Sequence, residues 1–194
     1  TSSANGVTVK RSDNVTFKLC KFANIAGDRA LDVLNITNVL ITECEFTKFV
    51  NIGVNLDCGD GKALVISGNN VIDNNYFHDF TLPSYFSSAG GIILWNSVGA
   101  IAEHNILENG VHGGIVFGGD VDCIIRYNVL NNMVYNTKDY GAIYGGGIGH
   151  RGNKIYGNLI MNMDCLREAY GIYIDECGSG QEVYGNIFYN GGGH

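Results

Sequence analysis

The chain has 194 residues, a length that fits one domain of ordinary size with a substantial core. Charged residues make up only 16%, whereas glycine numbers 28, asparagine 23 and proline 1. Because glycine and asparagine favour tight turns, this composition predicts a mostly β chain with many short turns. The net charge of −7, with 12 Lys+Arg, argues against a nucleic-acid groove, and no apolar run approaches the ~18 residues of a membrane span.

A short β-rich segment recurs along the chain at intervals of 23 to 31 residues. Each copy carries an asparagine or a cysteine about two residues before its last apolar position. These marker residues are Cys20, Cys44, Asn75, Asn105, Asn128, Asn158 and Asn186. A period of this length predicts a solenoid in which each copy belongs to one coil and the extra residues form loops.

A second strand repeats with the same period in the later part of the chain. Its copies are GIILWN (91–96), GIVFGG (114–119), GAIYGG (141–146) and GIYIDE (171–176). The two repeats predict an all-β, right-handed parallel β-helix of about seven coils, a single domain over 1–194. The rival β-sandwich would show hairpin dipeptides at regular spacing, which the chain lacks. Because no polar end cap is visible, we expect a segment of a longer β-helix or one with atypical ends.

Stacked asparagines at equivalent turns would hydrogen-bond along the solenoid, which accounts for the asparagine content. Cys20 and Cys44 occupy the asparagine position in the first two coils, so we expect stacked free thiols there in preference to a disulfide. The six cysteines form no CxxC pair and are too dispersed for a zinc site, so no metal site is predicted.

Aligning the second strands on Gly91, Gly114, Gly141 and Gly171 predicts which side chains face outward, because alternate residues of a strand point to opposite faces. This alignment places His112 beside Asp139 in neighbouring coils, about 5 Å apart. It also places Ala142 and Tyr144 inside.

On the outward face, the same alignment puts a floor of glycines between Trp95 and Asp120 on one side and Asp175 and Glu176 on the other. Aromatic rings that stack on sugars, together with carboxylates that bind hydroxyl groups, predict a carbohydrate groove. The segments 79–89 and 162–169 precede second strands and are expected to form its walls. Further candidate contacts with the sugar are Tyr173, Tyr144 and Arg151, and the candidate wall residues are Tyr85, Phe86, Arg167 and Glu168.

The order of several blocks resembles the right-handed parallel β-helix repeat proteins of the pectin-lyase-like superfamily, and among them bacterial glycoside hydrolases. The blocks are AEHNILENGVHGGIVFGGD (102–120), RYNVLNN (126–132), KDYGAIYGG (138–146), RGNKIYGNLI (151–160) and GIYIDECGSGQEVYGNIFYN (171–190). The resemblance implies a polysaccharide partner and a secreted, periplasmic or cell-surface location. Similar sequences commonly have Asp-Asp where this chain has Asp175-Glu176, and Gly-Arg-Asp where it has Gly145-Gly146-Gly147.

Three functions remain open. A glycoside hydrolase needs two carboxyl groups, and Asp175 is the leading one, with Glu176, Asp120 or Asp139 as its partner. The alignment puts Asp139 about 20 Å and Asp120 roughly 12 Å from Asp175, too far for a pair. His112 with Asp139 forms a second candidate catalytic cluster.

A polysaccharide lyase or epimerase would need cationic neutralisation of a uronate, from Lys or Arg or from Ca²⁺ on the acidic face. The cations near this face in the alignment are Arg126, Lys138, Arg151 and Arg167. A polysaccharide-binding or adhesin β-helix without activity is the third candidate. No cofactor is expected apart from the Ca²⁺ alternative, and the chain is expected to be a monomer.

Overall fold

The computed structural model describes residues 4–58, 67–80, 89–163, 169–176 and 178–191. Twenty-one strands, numbered in chain order, form three parallel sheets of seven strands each. The first sheet holds β1 Val7–Lys10, β4 Arg29–Leu34, β7 Ile52–Asp57, β10 Gly90–Trp95, β13 Gly113–Gly118, β16 Tyr140–Gly145 and β19 Ala169–Ile174. The second holds β2 Thr16–Lys18, β5 Leu40–Thr42, β8 Val71–Asp73, β11 Ile101–Glu103, β14 Ile124–Arg126, β17 Lys154–Tyr156 and β20 Glu182–Tyr184. The third holds β3 Lys21–Ala23, β6 Glu45–Thr47, β9 Tyr76–Phe80, β12 Ile106–Gly110, β15 Val129–Met133, β18 Leu159–Met161 and β21 Ile187–Tyr189.

Each coil contributes one strand to each sheet, so the predicted parallel β-helix of about seven coils is confirmed. Every strand pairs in parallel with its equivalent in the next coil, for example Ile92 opposite Ile115 in the first sheet. Backbone groups of one coil therefore find their hydrogen-bond partners in the coils before and after it.

The predicted asparagine ladder lies at the corner between the second and third sheets. The backbone N–H of Asn105 donates to Asn128 Oδ1 at 3.0 Å, and the backbone N–H of Asn128 donates to Asn158 Oδ1 at 3.0 Å. Each side-chain amide also donates to a carbonyl of the preceding coil, as Asn128 Nδ2 does to Ala102 O at 2.9 Å. These buried amides satisfy the backbone groups that the corner removes from the sheets.

Cysteines begin this ladder, as predicted. The backbone N–H of Cys20 donates to Cys44 Sγ at 3.4 Å, and that of Cys44 donates to Asn75 Oδ1 at 2.9 Å. Both thiols are free. Cys165 and Cys177 lie outside the described residues.

A left-handed residue precedes every ladder position and turns the chain. Its φ is 53° at His104, 56° at Tyr127 and 66° at Gly157. This conformation is unfavourable for a residue that has a β-carbon, and the ladder hydrogen bonds offset its free-energy cost. In each coil, a further left-handed residue lies within one residue of the end of the third strand, and most of these residues are asparagines: Asn24, Lys48, Asp79, Asn109, Asn132, Asn162 and Asn190.

The core runs along the solenoid axis as stacked rows of apolar side chains. Phe22, Phe46 and Phe77 stack with ring centroids 4.6 Å apart and nearly parallel planes. Leu107 and Leu130 continue this row in full burial. Among the described residues, no helix is long and apolar enough to cross a membrane.

The glycine alignment of the second strands is wrong by one residue at β16. Ile115 pairs with Ile143, and Ile143 pairs with Ile172, so Ala142 lies where Gly141 was expected. Glycine is a weak register marker because it has no side chain to fix its face. A shift of one residue reverses the face of every side chain, so Tyr144 points outward, opposite Tyr173, instead of inward.

We expect the replacement Asn128→Ala to lower the free energy of unfolding by about 2 to 3 kcal/mol, because the buried N–H of Asn105 loses its acceptor. Denaturant unfolding followed by circular dichroism measures the change. Asn136→Ala, at an exposed turn residue, is the matched control and should stay within about 0.5 kcal/mol of the unmodified chain. Equal losses in the two variants would contradict a special role of the ladder.

Candidate functional site

Trp95 lies on a floor of glycines on the outer side of the first sheet. It pairs with Gly118, and a β-carbon placed on Gly118 would lie 2.5 Å from Trp95 Cζ3. At Gly147, the same construction gives 3.5 Å to Trp95 Cη2. The indole ring therefore rests against backbone, and a larger residue at Gly118 would displace it. This arrangement confirms the outward placement of Trp95 and part of the glycine floor.

Gly145 does not belong to this floor. It pairs with Phe117 and with Ile174, which places it on the inward face, and the space beside it is filled by the Phe117 ring. The next residue, Gly146, lies between Gly118 and Asp175, where the Tyr144 ring covers it.

The carboxylate of Asp175 is held in place from two sides. Tyr144 Oη donates to Asp175 Oδ2 at 3.0 Å, and the backbone N–H of Glu176 donates to Asp175 Oδ1 at 2.8 Å. Glu176 accepts in turn from the backbone N–H of Gly147, at 2.8 Å to Oε2. Burial, and then the hydrogen bond to Asp175, raise the pKa of Tyr144, so this phenol remains a proton donor at neutral pH.

A cluster of aromatic rings surrounds this pair. Tyr140 stacks on Tyr144 at 4.0 Å between centroids, Tyr144 meets Tyr173 edge-on at 5.5 Å, and Tyr173 lies 4.7 Å from Tyr170. Burial, and then the charge of Asp175, raise the pKa of Tyr173. We call the aromatic surface the set formed by Trp95, Gly118, Gly146, Gly147, Tyr144, Tyr173, Asp175 and Glu176.

His150 supports this surface from below and was missed in the sequence. It is fully buried, and its Nε2 lies 3.0 Å from the carbonyl oxygen of Asp175. Because a carbonyl only accepts, Nε2 carries the proton, and Nδ1 accepts from Gln181 Nε2 at 3.3 Å. His150 thereby fixes the backbone of Asp175. The tyrosine pairs of YGAIY (140–144) and YGIY (170–173) were the available sequence signal for the ring cluster.

The predicted pair of His112 and Asp139 does not form. The shifted register places Tyr140 opposite Ala169 at the start of the strand, and His112 stacks on Tyr140 at 3.7 Å. Asp139 is exposed in a left-handed turn with a φ of 56°. The Nδ1 of His112 lies 2.9 Å from Thr137 Oγ1, whose proton goes to Val111 O, so Nδ1 donates and Nε2 is the unprotonated nitrogen.

The expected outward placement of Asp120 is also wrong. Asp120 is fully buried, and its two oxygens accept from the backbone N–H groups of Ser97 and Gly118, each at 2.7 Å. Burial raises the pKa of this carboxyl well above its ordinary value. Asp120 thus satisfies the backbone at the corner between the first and second sheets and has no access to a ligand on the outer surface.

Arg151 lies on that same corner, exposed and bridged by its backbone to Val121 and Ser179, beyond the rows of the first sheet. The proposed wall residues fall in segments 81–88 and 164–168, which lie outside the described residues. The structure therefore brings together Trp95, Tyr144, Tyr173, Asp175 and Glu176, and the Tyr140 ring links His112 to this cluster. After burial and Asp175, the charge of Asp139 also raises the pKa of Tyr173, whereas Asp120 is buried at a corner and Arg151 lies on that corner.

Two other features lie away from the aromatic surface. Within the described part of the chain, Asp73, Glu103 and His104 place potential metal-ligand atoms within 4.8 Å of one another on the second sheet. Arg126 already contacts Glu103 at 2.6 Å, and His104 contacts Asp73 at 3.0 Å. A groove of about 360 Å³ lies at the corner between the second and third sheets, with Glu45 and Tyr76 among its lining residues.

Comparison with known proteins confirms the fold. The family model described as right handed beta helix region matches residues 2–194, so the chain belongs to this family. The chain is also similar to an alginate lyase from Paenibacillus sp. str. FPU-7, with 14% identity, a TM-score of 0.41, and coverage of 96% of this chain and 89% of that one. No curated protein matches the chain.

The burial of His112 predicts how the free energy of unfolding changes with pH. Burial lowers its pKa from 6.5 to about 4, so the unfolded chain binds a proton in this range and the folded chain does not. The free energy of unfolding should therefore fall as the pH drops from 6.5 to about 4, by about 3 kcal/mol from this residue. Denaturant unfolding at several pH values should show a flatter profile for His112→Gln.

The control for this experiment is Asn136→Ala, because it changes an exposed turn residue between β15 and β16 without removing a titratable group. That variant should keep the slope of the unmodified protein between pH 6.5 and about 4. Superimposable profiles for His112→Gln and the unmodified chain would refute the assignment of His112 as a neutral buried group.

Proposed function

We propose that this chain is a carbohydrate-active β-helix protein that binds a polysaccharide or oligosaccharide along the aromatic surface and hydrolyses a glycosidic bond there. The observation that carries the proposal is the presence, on one outward surface, of the Trp95 ring on its glycine floor and the Asp175 carboxylate held by Tyr144. Neither the family match nor the resemblance to a lyase identifies the reaction, so the proposal stands on this geometry.

The rings and carboxylates suit a sugar because sugars combine apolar C–H faces with hydroxyl groups around their rims. Trp95 offers an amphipathic ring, and Tyr173 offers a partly exposed phenol. Trp95 and Asp175 lie three coils apart, so about 14 Å separates their strands along the axis. A chain of several sugar units running along the solenoid can contact both ends of the aromatic surface.

For hydrolysis, Asp175 is the leading carboxylate and Glu176 is the candidate partner. The Tyr144 hydroxyl and the Glu176 N–H orient the Asp175 oxygens, and the Gly147 N–H orients Glu176. A glycosidase needs one carboxyl group to protonate the leaving oxygen and another to act as nucleophile or base. The assignment of these two roles between Asp175 and Glu176 is part of the proposal.

Binding without hydrolysis is the second candidate, and one observation favours it. Both oxygens of Asp175 already accept hydrogen bonds within the protein, and its neighbour Glu176 is tied to Gly147. Carboxylates restrained in this way are suited to accept hydrogen bonds from sugar hydroxyls. We further propose a secreted, periplasmic or cell-surface location, because polymeric sugars of this kind are encountered outside the cytoplasm.

The first test is a screen of plant and algal polysaccharides with the protein and its Asp175→Asn variant, reading new reducing ends and the ultraviolet absorbance of unsaturated products separately. Hydrolysis predicts new reducing ends without unsaturated product, and a loss of turnover of about 10²- to 10⁴-fold in the variant, with binding retained. Asp122→Asn, which changes an exposed corner carboxylate, is the control. Binding without new reducing ends would establish the second candidate, and unsaturated product would establish a lyase.

The second test addresses Trp95. Trp95→Ala should weaken binding of the sugar identified in the screen about tenfold or more, because a large aromatic ring that packs on a ligand carries much of the binding energy. Isothermal titration calorimetry measures the effect. Tyr184→Ala removes a half-exposed ring on the second sheet and should leave the affinity within about twofold. If the two variants weaken binding equally, the sugar does not bind at the aromatic surface.

A further inference from the structure

The charge of the aromatic surface bears on the kind of sugar it accepts, an inference that rests on the proposed function. Within the part of the chain that the structure describes, the charged side chains of this surface are Asp175 and Glu176, and both are acids. Asp175 is half-buried and Glu176 is exposed. A ligand that lies along the surface therefore meets negative charge at its last coil.

The hydrogen-bonding character of these groups points the same way. An ionised carboxylate only accepts hydrogen bonds, and the protein supplies Asp175 and Glu176 with three donors in total, from Tyr144 and two backbone N–H groups. The remaining acceptor capacity of the two side chains calls for donors from the ligand. Sugar hydroxyl groups provide such donors, whereas a uronate carboxylate provides none and adds like charge.

Among the residues that the structure describes, no cation forms an ion pair with Asp175 or Glu176, and Lys138 is exposed in the segment before β16. Lys10 and Asp175 lie at opposite ends of one row of the first sheet, six coil spacings or about 29 Å apart. That separation exceeds the screening length of about 8 Å in physiological salt. Arg29 is paired with Asp28 and Asp32 at 3.3 and 2.8 Å. Arg151 is exposed on the corner after His150. Its removal tests whether this cation binds acidic polymers, should these bind more tightly than the neutral ones.

We infer that the aromatic surface selects sugar chains without carboxylate groups, and that Glu176 is a specificity-determining residue that excludes uronates. Glu176 is suited to this role because its backbone follows Asp175 directly and its side chain is anchored to Gly147 beside the Trp95 ring. Its charge is thereby held at the end of the surface instead of turning away into solvent.

The test compares matched polymers that differ only in charge. Polygalacturonate and alginate are each used before and after chemical reduction of their carboxylates to hydroxymethyl groups, at equal chain length. Binding of the full chain is measured by affinity electrophoresis and calorimetry at about 0.05 M and 1 M salt. At low salt, at least one neutral polymer should bind about tenfold more tightly than its acidic parent, and the difference should shrink at high salt.

Glu176→Gln should reduce the preference for the neutral polymer over its acidic parent at low salt by about threefold or more, because the variant removes the charge that repels uronates. Glu182→Gln is the matched control, since it removes one exposed carboxylate from the second sheet, where Glu182 faces Lys154 at 3.6 Å. It should change neither affinity.

Tighter binding of the acidic polymers would overturn the inference while leaving the proposed function intact, and loss of that binding in Arg151→Ala would identify the cation responsible. Equal affinities for the two forms, or no response to Glu176→Gln, would also overturn it. Failure of every polymer in both this test and the wider screen would refute the proposed function, and the inference with it.

Discussion

Hydrogen bonding between equivalent residues of successive coils is the constraint on which this structure depends. Three sheets carry these bonds along the strands, and the ladder from Cys20 to Asn186 carries them through the corner where the strands end. No further sheet covers the corners of a solenoid, so the backbone N–H and C=O groups at each corner need hydrogen-bond partners within that corner. The ladder amides provide them at one corner, and the Asp120 carboxylate provides them at another.

The site inherits its geometry from this constraint. Trp95 comes from the fourth coil, Gly118 from the fifth, Tyr144 from the sixth and Asp175 from the seventh, and each position follows from the pairing of its strand. His150 shows how closely the corner and the site are joined, because the residue that fills the corner also holds the backbone of the leading carboxylate. Side chains that would be mobile on a loop are here spaced by the strands themselves.

Much of the fold could be predicted from the sequence, because the ladder residues recur at a spacing that only coils of a solenoid explain. The rows of the first sheet could be predicted where a side chain marks the face, as at Trp95 opposite Gly118. At Gly141 the prediction failed, since glycine fits either face and the true partner of Gly114 is Ala142. That one-residue error moved Tyr144 inside and produced the unrealised pair of His112 with Asp139. Asp120 was predicted on the wrong side, and His150 was missed. At a corner, the sequence does not distinguish an acid or imidazole that faces solvent from one that satisfies buried backbone groups.

Because the four coils that build the aromatic surface repeat one architecture, the distance between the Trp95 ring and the Asp175 carboxylate can change only in whole coil steps of about 4.8 Å. Insertion of a coil between β13 and β16 would lengthen the aromatic surface and keep the contacts of Trp95 with Gly118 and of Tyr144 with Asp175, whereas loss of either coil would remove one of these contacts. Under the proposed function, the number of coils would set the length of sugar chain that the surface contacts, whereas the residues at its two ends would set the chemistry.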